Sequence, residues 1–185
     1  YKCRFGQLIT NASYAAEDDT LSCLSMPQDV AGAYALELSL NAQQYTENAI
    51  ELMYYELPIV SSISPKGGVI GGGTLVRVFG FNLGQGEVYT CKFGVEVVHA
   101  SIDTMDDTVS CESPSASYDG VVTLEVAINS QDYTNNAVSF TYYTAPLVSL
   151  VSPSTGILYG GNVVTIDGSG FDGMHELHCM FGKSS

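Results

Sequence analysis

The chain has 185 residues, enough for one large or two small domains, and a formal net charge of −14 with only six Lys and Arg. Nucleic-acid-binding proteins need a cationic surface that displaces counterions from phosphates, so the charge excludes that class and disfavours an anionic membrane surface. No stretch reaches the roughly 18 apolar residues of a membrane-spanning helix, and no direct membrane insertion of this segment is expected. Twelve Tyr, seven Phe and nineteen Gly favour an all-β fold.

The chain repeats itself at an interval of 88 residues. The pattern Cys-x-Phe-Gly occurs at Cys3, Cys91 and Cys179, and 23 of the first 57 residues are identical to the residue 88 positions later. The agreement runs through an acidic turn, a polar segment ending in Asn-Ala and a Tyr-Tyr pair, without insertion or deletion. A fixed interval of this length predicts consecutive copies of one domain.

The repeat also predicts the domain boundaries. One complete unit covers residues 58–145, residues 1–57 match the back part of a preceding unit, and residues 146–185 match the front part of a following one. A partial sandwich cannot close its own core. We therefore expect a window of a longer protein, with one complete and two partial domains.

Within the complete unit, short apolar runs alternate with turn residues. In chain order we predict a strand closed by a proline (58–65), a glycine-rich turn (67–73), a strand of period two (74–80), a hairpin about Gly94 (88–93 and 95–100) and three further strands (108–111, 121–128 and 137–143). No segment has sustained helical periodicity. About seven short strands in one unit are typical of an immunoglobulin-like β-sandwich.

The cysteines follow the repeat. Cys3 and Cys23 are 20 residues apart, as are Cys91 and Cys111. A pair repeated in register predicts one disulfide bond inside each unit, and hence an extracellular or cell-surface location. The partner of Cys179 is expected beyond the last residue of this sequence. Five buried free thiols are the alternative interpretation, which the repeated register disfavours.

One N-glycosylation sequon is present, Asn11-Ala12-Ser13. We place it in a polar turn between two strands, where Asn11 would accept a glycan in a secreted protein. An unmodified sequon is the alternative, because the three-residue pattern also arises by chance.

Three other segments have the composition of a ligand site. Residues 67–74 are glycine-rich but lack the Lys of a phosphate-binding loop. Residues 175–179, His-Glu-Leu-His-Cys, would point their side chains to opposite faces of a strand, and the other units lack His178. Acidic residues at 17–19 and 103–107 could bind calcium, but turn capping by solvated Asp is favoured. We predict no metal, no cofactor and no catalytic residue, and thus no enzyme.

Taken together, the motifs of the complete and following units resemble a known family. They are Pro58, Val60, Ile63, Pro65, Gly72, Gly73, Gly80, Leu83, Cys91, Phe93, Gly94, Ser110 and Cys111, then Pro146, Val148, Val151, Pro153, Gly160, Gly161, Gly168 and Phe171. This combination is similar to the IPT/TIG domain. The resemblance implies tandem immunoglobulin-like sandwiches in an extracellular protein, and it brings no catalytic residues with it.

Three functions are compatible with this resemblance. The first is a structural or adhesive segment that forms a stiff rod, stalk or filament, with protein–protein contacts that include self-assembly or neighbouring repeats. The second is the ectodomain stalk of a plexin-like or growth-factor-receptor-like protein. The third is an accessory module of a glycan-active enzyme. A transcription factor, another context of this family, is disfavoured by the acidic charge and the repeated cysteine pairs.

Overall fold

The chain consists of strands joined by turns. In the computed structural model, which describes residues 1–172 and 178–182, it divides into two compact units, Tyr1–Leu57 and Pro58–Ser185. Regular structure in the described residues comprises fifteen strands and one 3₁₀ turn. The predicted all-β class is confirmed.

The first unit is a single five-stranded antiparallel sheet. Its strand order is β3-β2-β1-β4-β5. The strands are β1 Lys2–Phe5, β2 Leu8–Ala15, β3 Thr20–Cys23, β4 Gly32–Ser39 and β5 Ile50–Tyr54.

The second compact unit, Pro58–Ser185, contains residues 58–145. These residues are the copy of the repeat predicted to be complete, and they are called the complete unit below. Its eight strands have the order β6-β8-β11-β10-β9-β12-β13-β7, and a separate antiparallel pair, β14-β15, follows. The elements are β6 Ile59–Ser64, β7 Gly67–Val69, β8 Leu75–Phe81, the 3₁₀ turn Leu83–Gln85, β9 Thr90–Phe93, β10 Glu96–Asp103, β11 Thr108–Glu112, β12 Gly120–Ala127, β13 Val138–Tyr143, β14 Leu147–Ser152 and β15 Thr165–Ser169.

The glycine-rich segment after β6 differs from the prediction. Its first three residues form strand β7, parallel to β13, instead of a turn. Gly68 lies against the sandwich, and a Cβ at this position would meet the Thr74 side chain at 2.3 Å. The missing side chain therefore allows the backbone to approach the core closely enough to pair with β13. The sequence pattern did not predict this strand because glycine carries no apolar periodicity.

Strand β10 joins the two sheets of the sandwich. Its first half pairs with β9, and its second half pairs with β11. The change of partner occurs between His99, which lies opposite Thr90, and Ala100, which lies opposite Cys111. The chain thus passes from one layer to the other without a break in hydrogen bonding, and the two layers enclose one core.

Apolar side chains of both layers fill this core. Val76, Val78 and Val109 come from one sheet and are 0% exposed. Leu124 and Phe140 face them from the other sheet and are also 0% exposed. Contacts between aromatic rings add to this packing, because edge-to-face pairs stabilise beyond the area they bury.

The first strand pair of the complete unit contains a bulge that recurs in the next copy. The register of β6 on β8 shifts between Val60 and Ser62, and that of β14 on β15 shifts between Val148 and Leu150. In each pair a glycine faces the shifted strand. A Cβ on Gly80 would lie 2.0 Å from the carbonyl oxygen of Ile59. Only glycine fits at so close a backbone approach.

Burial predicts how much two leucines of the complete unit contribute to the free energy of unfolding. Leu124→Ala should lower the free energy of unfolding by about 2–5 kcal/mol, because it leaves a cavity between the layers. Leu75→Ala should change it by less than about 0.5 kcal/mol, since Leu75 is 60% exposed. Urea unfolding of both variants measures the difference. Equal losses would contradict the described core.

Candidate functional site

A disulfide bond connects the two strands that pair with β10 where β10 passes from one sheet to the other. Cys91 on β9 is bonded to Cys111 on β11, with a Cα–Cα distance of 6.4 Å. The residues of β10 opposite these cysteines are Val98 and Ala100. The bond therefore joins the two strands that flank the crossing strand, and it ties one layer of the sandwich to the other.

The first unit contains the same arrangement. Cys3 on β1 is bonded to Cys23 on β3, again across a sequence separation of 20 residues. Strand β2 passes between them, with Thr10 opposite Cys3 and Ala12 opposite Cys23. In the chain-entropy description, closing a loop of this size stabilises a fold by roughly 3 kcal/mol.

A buried carboxylate holds the loop between β12 and β13. Glu125 is 6% exposed and accepts hydrogen bonds from the Thr134 hydroxyl and from the backbone N–H of Ala137 at 2.7 Å. Thr134 Oγ1 in turn accepts the N–H of Val126 at 3.1 Å. Ala137 has a left-handed φ of 54°, a conformation that is costly for alanine and is offset here by its bond to a charged acceptor.

The first unit repeats this carboxylate and its donors at the equivalent positions. Glu37, 7% exposed, accepts bonds from the Thr46 hydroxyl at 3.4 Å and from the N–H of Ala49 at 3.2 Å. The φ of Ala49 is 51°. We call each such set of glutamate, threonine and alanine the loop latch.

A cation and a tyrosine cover each loop latch. Lys92 lies opposite Glu125 on the neighbouring strand, and its Nζ is 4.5 Å from the centre of the Tyr133 ring. In the first unit the Arg4 guanidinium is 4.5 Å from the centre of the Tyr45 ring and 3.8 Å from the carboxylate of Glu37. Cation–π contact keeps the positive charge beside the buried carboxylate, which would otherwise be uncompensated.

The sequence prediction missed the loop latches, although the signal was present. Glu125 is a charged residue within an apolar run, and the Thr, Asn and Ala of its loop are identical in the two copies. A carboxylate in the middle of a buried strand needs donors, and a repeated polar loop nearby supplies them.

The acidic turns are held by hydrogen bonds. The Thr108 hydroxyl donates to Asp106, and the Arg77 guanidinium lies 2.9 Å from the same carboxyl group. The bond from Thr108 is the main cause of a lowered pKa of Asp106. Because the pKa is lower in the folded state, ionised Asp106 stabilises the fold at pH values above the ordinary pKa of 3.8. This stabilisation is lost as the pH falls through the folded-state pKa. Among the described residues, no group of three or more His, Cys, Asp or Glu is placed to hold a metal ion.

The sequon asparagine lies in a strand, which corrects the prediction of a turn. Asn11 belongs to β2, is exposed, and accepts a hydrogen bond from Lys2. The polar composition suggested a turn, but this strand has a solvent-facing side, and Asn11 lies opposite Lys2 on it. Asn11 therefore stays a predicted glycosylation site, now on a sheet face. The equivalent residue of the complete unit is His99, which is also exposed.

The remaining predicted positions lie near the end of the chain. His175 and Glu176 of the metal-like motif lie outside the described residues. Cys179 is an exposed free thiol in the structure, and its partner stays a prediction. In the part of the chain that is described, no helix is both long and apolar enough to span a bilayer.

Comparison with a family model decides the classification. The model of the IPT/TIG domain matches residues 58–142 and 146–185. The chain belongs to the IPT/TIG domain family. The resemblance that the sequence motifs predicted is thereby confirmed.

Known proteins with similar sequences are large extracellular molecules. Human fibrocystin-L is 32% identical over 145 residues, a match that covers 74% of this chain and 3% of fibrocystin-L. Mouse Plexin-B2 is 25% identical over 117 residues, covering 63% of this chain and 6% of that protein. The chain thus spans only a small part of either relative. These likenesses and the disulfide bonds indicate an extracellular or cell-surface segment of a non-catalytic domain type.

The fold is found in a solved ectodomain. The structure of the Plexin A4 full extracellular region superposes with a TM-score of 0.54 and 15% identity, covering 91% of this chain and 15% of that one. At this identity the likeness shows the fold, and the expected immunoglobulin-like class is confirmed.

Two glutamates test the loop latch. Glu125→Gln should lower the free energy of unfolding by about 1–3 kcal/mol. The substitution removes the charged acceptor and places an N–H donor near the Thr134 hydroxyl and the Ala137 N–H, which are donors themselves. Glu112→Gln, at an exposed strand end, is the matched control and should change it by less than about 0.5 kcal/mol. Chemical denaturation measures both, and an unchanged midpoint for Glu125→Gln would argue against the latch.

Proposed function

We propose that the chain is a stiff, non-catalytic structural or adhesive segment of an extracellular protein, built from the back part of one domain (1–57), one complete domain (58–145) and the front part of a third (146–185). The observation that supports it best is the 88-residue interval itself. It leaves no room for a long spacer, since β5 ends at Tyr54 and β6 begins at Ile59, with only residues 55–58 between them. A flexible linker needs many freely rotating residues, and this connection is too short to supply them.

The interior of each copy also favours a load-bearing role. The disulfide bond and the loop latch recur at equivalent positions of residues 1–57 and 58–145, so both copies tie their strands and their long loop by the same covalent and polar contacts. Such contacts limit local opening, which is the first step of mechanical or thermal unfolding. A rod, stalk or filament requires this property in every domain.

A receptor stalk is the second candidate, because the relatives include plexins. In that case the same stiff array would position a ligand-binding region in front of a membrane. Its partners would be proteins, as for the structural role, since the net charge of −14 repels phosphate backbones. A membrane span and a cytoplasmic signalling domain elsewhere in the full-length chain would favour the receptor.

Spin labels at equivalent positions test stiffness. Ser13→Cys and Ser101→Cys, introduced together in a Cys179→Ser background, place one label in each of the first two copies. We expect a narrow distance distribution by electron–electron resonance. The matched control carries a Gly-Ser spacer inserted between Leu57 and Pro58 and should broaden the distribution severalfold, because such spacers behave as random coils. A native chain as broad as the control would refute a stiff array.

A further inference from the structure

The change of partner along β10 leaves an open notch beside this strand. β10 first pairs with β9, and β11 joins it on the other side only from Ala100 onward. The end of β11 and the loop after it do not continue this pairing, and a cavity of about 560 Å³ lies between them and β10. We call this cavity the edge notch; it is lined by Leu75 of β8, residues 98–101 of β10 and residues 110–114. All of them belong to residues 58–145, so the incomplete copies on either side contribute nothing to it.

Backbone groups of β10 point into the edge notch. In an antiparallel pair, successive residues turn their N–H and C=O groups to opposite sides of the strand. The N–H of Ala100 donates to the carbonyl oxygen of Tyr89 at 3.0 Å, on the side of β9. Val97 and His99 therefore turn their backbone groups away from β9. No described strand pairs with β10 at Val97 on that side, so this stretch is a free sheet edge, which is a template for one more strand.

The charge around the edge notch favours a basic partner. Glu112 and His99 line the notch and are both exposed. Among the described residues that line it, none is Lys or Arg. The complete unit as a whole has nine Asp and Glu against three Lys and Arg. A second copy of the chain would bring a like charge to this edge, whereas a segment that contains Lys or Arg would pair with Glu112.

The first copy has an equivalent edge that carries the sequon. The N–H of Ala12 donates to the carbonyl oxygen of Tyr1 at 3.1 Å, and β3 joins β2 only from Ala12 onward. Asn11 thus takes the place of His99, and a glycan on Asn11 would cover this edge. The complete unit has no sequon at the equivalent position, so no glycan attached there covers its edge.

We propose that an extended, basic segment of a partner protein adds as a strand to β10 in the edge notch of the complete unit. Its backbone forms hydrogen bonds with Val97 and His99, which supply affinity, and a Lys or Arg side chain pairs with Glu112, which supplies selectivity for charge. Its apolar side chains contact Leu75, which is 60% exposed. This contact goes beyond the proposed structural role, because it gives the segment a surface for one kind of partner.

Two peptides of equal charge test strand addition. The probe is a fluorescent, end-capped peptide of three Lys-Val repeats, titrated with the 185-residue chain. We expect saturable binding, measured by fluorescence anisotropy. The same peptide with every backbone nitrogen methylated keeps the charge and loses the N–H donors, and it should bind about tenfold more weakly or worse. Equal binding of the two peptides would show attraction between charges without a strand ladder and would overturn the proposal, as would no binding of the first peptide.

A glycan placed at the edge tests the location. His99→Asn creates the sequence Asn-Ala-Ser beside the edge notch, and the glycosylated variant, secreted from mammalian cells, should bind the Lys-Val peptide about tenfold more weakly or worse. The matched control combines His99→Asn with Ser101→Ala, has no sequon there and should bind like the native chain. Unchanged binding by the glycosylated variant would place the peptide elsewhere on the chain and overturn the proposal.

Two exposed glutamates test the selectivity for charge. Glu112→Gln should weaken binding of the Lys-Val peptide about two- to fivefold, because it removes one exposed ion pair. Glu87→Gln is the matched control, since Glu87 is exposed and lies outside the edge notch, and it should leave binding unchanged. Equal effects of the two substitutions would contradict a contact at Glu112.

Sedimentation of the 185-residue chain tests the other possible occupant. Whatever its oligomeric state, we expect the glycosylated His99→Asn variant to have the same one as the native chain. Self-association of the native chain that this glycan abolishes would identify a second copy as the occupant of the edge notch and would overturn the proposal. None of these results would alter the label distances within one molecule that test stiffness.

Discussion

The structure depends on the disulfide bond at the sheet crossing. A strand that pairs with two different sheets must bend between them, and the sheets could separate by rotating about that bend. Cys91 and Cys111 lie on the strands that flank the crossing of β10. Their bond fixes the distance between the two layers beside the strand that pairs with both of them. The packed valines and Phe140 then meet at a constant separation, which close packing requires.

The loop latch acts on a different degree of freedom. It leaves the two layers where they are and fixes the loop between β12 and β13 through the buried carboxylate of Glu125. Lys92, opposite Glu125 on β9, lies over the Tyr133 ring. The latch thus holds the backbone at Ala137, immediately before β13 begins at Val138. Glu37 repeats the arrangement at the equivalent position of residues 1–57.

The sequence predicted those features that depend on periodicity. Alternating apolar residues predicted β8, and the 88-residue interval predicted consecutive copies of one domain. The IPT/TIG class followed from the resemblance of the combined motifs to that family, which the family model confirms. Features that depend on which distant residue pairs with or hydrogen-bonds to a given residue were not predicted. Two of the three residues of β7 are glycines, and the strand is recognised only by its pairing with β13. The role of Glu125 requires Ala137, twelve residues away, in a left-handed conformation that no propensity favours. Asn11 lies in β2, although the polar composition around it is typical of a turn.

The most direct test of the account is non-reducing peptide mapping of the oxidised protein, with free thiols alkylated before digestion. The account predicts peptides that link Cys91 to Cys111 and Cys3 to Cys23, with alkylated Cys179 in the 185-residue chain. Links between the copies, such as Cys23 to Cys91, or alkylated thiols throughout, would contradict it. Either result would show that the disulfide bond between Cys91 and Cys111, on which the rest of the architecture depends, is absent.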